Sequence, residues 1–141
     1  MWFEQYDLET LNGLRNANIG ALLGIIFTDI GDDFLAAKMP VDERTKQPFG
    51  LLHGGASCTL AETLGSVASW MCIDPAKQMA VGLEINASHL RAATDGHVTG
   101  ICKPVKLGRG IHVWTIETFR DDGKINCTAR LTVMIKDRPG D

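Results

Sequence analysis

Residues 56–72 limit the fold more than any other stretch. Ala56, Leu60, Ala61, Leu64, Val67, Ala68, Trp70 and Met71 set apolar or small side chains around nearly the whole circumference of a helix over Ala56–Cys72, and Asp74-Pro75 ends it. A helix apolar on all sides is a buried one, so other elements must enclose it. Four strand-like runs follow, Met79–Leu90, Gly96–Leu107, Ile111–Arg120 and Lys124–Ile135, with turns at Thr94-Asp95-Gly96 and Asp121-Asp122-Gly123. Asp-Gly between alternating runs is a strong hairpin signal. Neither helix nor strands can cover their apolar surface alone, and an antiparallel sheet curled around the helix covers both.

Upstream, Leu8, Leu11, Leu14 and Ile19 have near-helical spacing, which predicts a short amphipathic helix over Asp7 to Asn18 with Asp7 as N-cap and Gly20 as stop. Leu23–Ile30 and Phe34–Val41 then read as a hairpin about Gly31-Asp32-Asp33. Asp42 to Leu52 follows no period and reads as a loop leading into His53-Gly54-Gly55. Asp137 to Asp141 reads as a frayed tail.

A hydrophobic fraction of 45% in 141 residues suffices for one core, so a single domain over residues 1–141 is expected. The net charge of -3 lacks the basic surface that phosphate contacts with nucleic acid demand. The start has acidic residues where a secretory signal would be positive, and no apolar run reaches membrane-span length, so a soluble cytoplasmic protein without membrane contact is expected. Cys58, Cys72, Cys102 and Cys127 are widely separated and read as reduced thiols. His53, His89, His97 and His112 are equally scattered, and no metal site is expected.

Gln47-Pro48-Phe49-Gly50-Leu51-Leu52-His53-Gly54-Gly55 with Ala61-Glu62-Thr63-Leu64-Gly65-Ser66, Val81-Gly82-Leu83-Glu84 and Lys103-Pro104 through Leu107-Gly108 resembles the hotdog-fold thioesterases nearly end to end. Within them the chain is similar to the branch that holds the bacterial 1,4-dihydroxy-2-naphthoyl-CoA hydrolases and the enterobactin-pathway proofreading thioesterases. The resemblance implies an α+β hotdog fold, an antiparallel sheet of five to six strands wrapped around one long central helix. It also implies hydrolysis of an acyl-CoA, aryl-CoA foremost, or of an acyl group on a carrier protein. No cofactor is implied, since coenzyme A belongs to the substrate.

The residues suit that chemistry. A thioester under attack develops charge on its carbonyl oxygen, and backbone N–H groups at a helix start can hold it. Gly54 and Gly55 sit at such a start, although the same glycines would serve a tight turn. Glu62 interrupts an apolar helix, and burial of an unpaired carboxylate is costly, so it is the expected general base or nucleophile; a partly exposed edge of the helix or a structural ion pair is the alternative. Ser66, four residues on, shares its face and could hold water or simply pack.

Gly54 and Glu62 are separated by roughly 12 Å at about 1.5 Å per residue, too far for one carbonyl. Two antiparallel helices about a two-fold axis would pair Glu62 of one subunit with Gly54 of the other, which predicts a homodimer with shared sites. The resemblance adds that such dimers often pair again into tetramers. It further implies that Gln47 and His53 align the thioester and support the loop. The residues themselves leave His53 the plainer role of capping local carbonyls, and with Glu62 as base a supporting role is expected of it rather than proton transfer. Gly82, His89, Leu90, Arg91, Lys106, Leu107, Gly108 and Arg109 are implied to bind coenzyme A. Phe49, Leu51, Val67, Ala68 and Met71 are candidate acyl-pocket walls. A hotdog dehydratase, whose histidine loops are lacking here, and a non-catalytic acyl-CoA-binding protein are the competing functions.

Overall fold

The computed structural model describes residues 1–14 and 16–140. Two short helices, α1 (Leu8–Gly13) and α2 (Ile19–Leu22), precede the hairpin β1 (Ile26–Ile30) and β2 (Leu35–Pro40). The long helix α3 (Gly54–Met71) follows, and then β3 (Gln78–His89), β4 (His97–Leu107), β5 (Ile111–Arg120) and β6 (Ile125–Asp137). All six strands form one antiparallel sheet in the order β1-β2-β4-β5-β6-β3, packed around α3.

The core lies between helix and sheet. Leu60, Ala61, Leu64, Ala68 and Met71 of α3 are fully buried with Met39, Val98, Trp114, Ile116 and Leu131. Inside this layer Trp114 Nε1 donates to Ser69 Oγ at 2.7 Å, tying the helix to β5. Ser69→Ala strips the buried indole N–H of its acceptor and is expected to cost about 1–3 kcal/mol. The check is a lower denaturation midpoint at unchanged slope in urea.

The sheet does not enclose the helix on every side. Thr59, Glu62, Thr63, Ser66 and Val67 form a half-buried stripe along α3, where the sequence predicts burial all round. Part of the remaining cover comes from the N-terminus, where Phe3 N–H donates to Met71 O at 2.7 Å and the Tyr6 ring packs 5.1 Å from Trp70.

The first helix differs from its sequence expectation. Asp7 caps it as predicted, accepting from Thr10 N–H, but it ends at Gly13. Asn18 then donates from Nδ2 to Leu14 O and accepts from Gly20 N–H at Oδ1, and so opens α2 with Gly20 inside it rather than as a stop. A short polar side chain that satisfies local backbone groups divides what the apolar spacing alone reads as one helix. Because Leu22 belongs to α2 and Leu23 caps it, β1 starts at Ile26 and not at Leu23. Arg15 of the predicted helix and Asp141 of the predicted tail lie outside the described residues.

Candidate active site

The loop before α3 is closed by its own hydrogen bonds. Thr45 Oγ1 donates to Pro40 O at 2.7 Å, and Gln47 N–H donates to Leu51 O at 2.8 Å. Gln47 Oε1 accepts from the backbone N–H groups of Phe49 and Leu51, which leaves its Nε2 without an acceptor among the described residues. The loop delivers His53 in extended backbone as the N-cap of α3.

Capping sorts the amides of the first turn. His53 Nδ1 accepts from Gly55 N–H at 2.8 Å, and His53 O accepts from Ala56 and Ser57. Gly54 N–H alone in that turn has no acceptor among the described residues. Of the two glycines proposed from sequence, Gly55 therefore has its amide occupied, while Gly54 offers a free donor at the positive end of an 18-residue helix. His53 caps an N–H, whereas the sequence reading has it cap carbonyls. The His89 ring lies over Gly54, so that a Cβ on residue 54 would fall 2.7 Å from Nε2.

This donor opens into a cavity of about 390 Å³ shared by Gln47, Ser57, His89, Leu90 and Arg91. The structure thus gathers six of the predicted residues, Gln47, Leu51, Gly54, His89, Leu90 and Arg91, at one place. Arg91 is partly engaged there, donating from Nη1 to Ile125 O at 2.7 Å. Ser57 and Asn126, absent from the sequence reading, also line it. Neither carries a distinctive sequence signal, since a serine in a helix and an asparagine in a strand are commonplace.

Glu62 opens elsewhere. With Thr63, Ser66 and Val67 it forms one side of a second cavity, about 370 Å³, closed opposite by Leu14, Asn18, Ile19, Gly20, Ile25 and Phe27. Glu62 has no ion pair or hydrogen bond among the described residues, so the structural-pair alternative lacks a partner. Burial pushes its carboxyl above the ordinary carboxylate range, the direction that suits a base. Ser66 Oγ, one turn along, is also without a partner among the described residues.

Gly82 is the clearance for this carboxylate: a Cβ there would lie 2.4 Å from Glu62 Oε1. Its neighbour in the chain is therefore the acid, not the cavity where His89 and Arg91 meet. Leu107, Gly108 and Arg109 line a third cavity beyond the C-terminal end of α3, with Cys72, Gln78 and His112, and Lys106 precedes them at the end of β4. The two predicted coenzyme-binding segments are thus at opposite ends of the molecule.

Of the candidate pocket walls, Leu51 and Val67 line the first two cavities. Ala68 and Met71 are sealed in the core, and Phe49 stands 88% exposed at the loop tip. The wall from Leu14 to Phe27 went unpredicted, and only the surplus of apolar residues around a short helix hinted at it. All four cysteines are free, and burial pushes Cys72 and Cys127 up to about 11 and Cys102 further, which keeps these three thiols protonated.

Comparison with known proteins agrees with this architecture. The thioesterase superfamily matches residues 49–127. Over 135 residues the chain is 53% identical to the 1,4-dihydroxy-2-naphthoyl-CoA hydrolase of Escherichia coli, covering 96% of this chain and 98% of that one. A mutant thioesterase from Pseudomonas aeruginosa superposes with a TM-score of 0.96 at 51% identity, covering 97% and 99% of the two chains. A Staphylococcus aureus thioesterase, 37% identical, is solved as two alanine variants with TM-scores of 0.83 and 0.81, covering 86% and 84% of this chain and 100% and 98% of that one. One replaces a glutamate and the other a glutamine fifteen residues before it, the same spacing as Gln47 and Glu62. By sequence and fold the chain belongs to the thioesterase superfamily and is a hotdog-fold thioester hydrolase.

Proposed function

We propose that the protein hydrolyses acyl-CoA, aryl-CoA foremost, at a site built from two subunits, with Glu62 of one and the Gly54 amide of the other. One observation carries this reading: the partnerless carboxylate and the partnerless amide open into different cavities of one chain, yet both abut the same strand. Glu62 lies against Gly82 and Gly54 against His89, and both of these residues are on β3. That strand is a free edge of the sheet, with Leu83 half exposed along it. Antiparallel pairing of two β3 edges, centred between Ile85 and Asn86, sets Gly82 of one chain opposite the partner subunit's His89. Acid and amide then face each other twice about the axis. The same pairing brings His89, Leu90 and Arg91 towards the end of the partner where Leu107, Gly108 and Arg109 lie, which would reunite the two coenzyme-binding segments. Dimers of this kind would pair again as a dimer of dimers.

In such a site the Gly54 N–H stabilises the oxyanion as the thioester carbonyl is attacked. Glu62 either takes the proton of the attacking water or attacks directly to give an anhydride that water then opens. Ser66 orients the water or the acyl group, and Gln47 Nε2 and the His53-capped loop align the thioester. The products are a carboxylic acid and free coenzyme A, with no cofactor taking part. An acylated carrier protein presents the same pantetheine arm and is the alternative donor.

The test is thiol release from benzoyl-CoA and from a benzoylated carrier protein, followed with a thiol-reactive chromophore. Turnover of the coenzyme A ester with the higher kcat/KM is expected. Tight binding without release would make the chain a binding protein and overturn the proposal.

A further inference from the structure

The acid end of the site opens into hydrocarbon. Beyond Glu62 and Ser66 the cavity is closed by Leu14, Ile19, Gly20, Ile25 and Phe27. Its other polar side chains are tied to the backbone: Asn18 bonds Leu14 O and Gly20 N–H, and Thr63 Oγ1 donates to Thr59 O at 2.7 Å. Among the described lining side chains, Glu62 and Ser66, one helical turn apart, are the two polar groups with no hydrogen-bond partner. A thioester carbon within reach of Glu62 directs its acyl group here, because the cavity at Gly54 holds the polar lining suited to the pantetheine arm. The remote end of that acyl group meets a mostly apolar wall that carries no cationic side chain among the described residues.

We propose that this N-terminal wall, Leu14, Ile19 and Gly20 set against Ile25 and Phe27, is the specificity element of the enzyme: it admits acyl groups whose remote end is plain hydrocarbon, aromatic or alkyl, and rejects those that carry a charge there. The inference rests on the thioesterase reading of Glu62. A carboxylate pushed against the wall sheds part of its water and gains no cationic partner among the described residues, and the loss is larger for a charge than for any neutral group. Ile19 is the natural lever. It lines the cavity yet is 57% exposed, so replacing it leaves the buried core untouched.

The experiment compares pentanoyl-CoA with glutaryl-CoA, equal in chain length but ending in a methyl or a carboxylate, on the wild type and Ile19→Lys. The wild type is expected to favour pentanoyl-CoA by roughly 100-fold or more in kcat/KM. In Ile19→Lys the ammonium gives the terminal carboxylate a partner, and the preference is expected to fall about 10-fold or more. Equal rates on both esters in the wild type, or an unchanged ratio in Ile19→Lys, would overturn the wall assignment and leave the thioesterase reading standing. A wild type that releases coenzyme A from neither ester, and from no aryl-CoA, overturns that reading and this inference with it.

Discussion

Glu62→Ala is expected to lower kcat for thioester hydrolysis by about 10²–10⁴-fold, the usual contribution of a positioned base. Glu62→Gln should fall as far while keeping the size of the side chain. Because burial holds the carboxyl above the ordinary range, the acid limb of the wild-type pH–rate profile should lie above that range too, and it should vanish from the residual activity of the glutamine variant. Stability carries the opposite sign. The folded chain prefers Glu62 protonated, so the stability tied to the protonated form is fully present below the unfolded-state pKa and is lost as pH rises through the folded-state value. Glu62→Gln should therefore melt higher than the wild type at neutral pH, with the difference closing in acid. A fully active glutamine variant would remove Glu62 from the centre of the mechanism, and one that melts lower at neutral pH would show that the folded chain does not disfavour the charged carboxylate.

Gly82→Val is expected to reduce kcat by roughly 100-fold through displacement of the acid, in a variant whose dimer content, checked by light scattering, is unchanged. The new Cβ falls within 2.4 Å of Glu62 Oε1, and the carboxylate, as the far end of a flexible side chain, must give way. Position 82 is exposed on an edge strand where valine is a good β former, so the fold should hold. Adding Gly82→Val to Glu62→Ala should change nothing further, since the two substitutions act on one group. Full activity in the single variant would show that the carboxylate does its work away from β3.

Periodicity made the large elements legible. The four strands after the helix fall within a few residues of their expected bounds because alternation and Asp-Gly turns mark them locally. The start of α3 was read at Ala56 and lies at Gly54, since glycine's poor helix propensity conceals a first turn that the His53 cap holds in place. The four residues of α2 are too few to show a period, and the Asn18 cap together with the Leu23 N–H bond to Ile19 O marks out the helix. Within the site, Glu62 was legible as a charge in an apolar helix. The clearance at Gly82 and the wall at Ile19 depend on contacts between residues distant in sequence, and local pattern carries no trace of them; the occupied amide of Gly55 is a local cap by His53, two residues before it.

The two ends of the sheet differ in what they offer a neighbour. β3 exposes a twelve-residue edge with one register break, between Gly82 and Glu84, whereas β1 has five residues and a break between Phe27 and Asp29 that leaves no long regular stretch. Once β3 is matched with its twin, only the short, broken rim is left at each outer end, a poor template for another strand. Growth by strand addition would halt at two chains, and an open-ended fibre has no surface from which to extend.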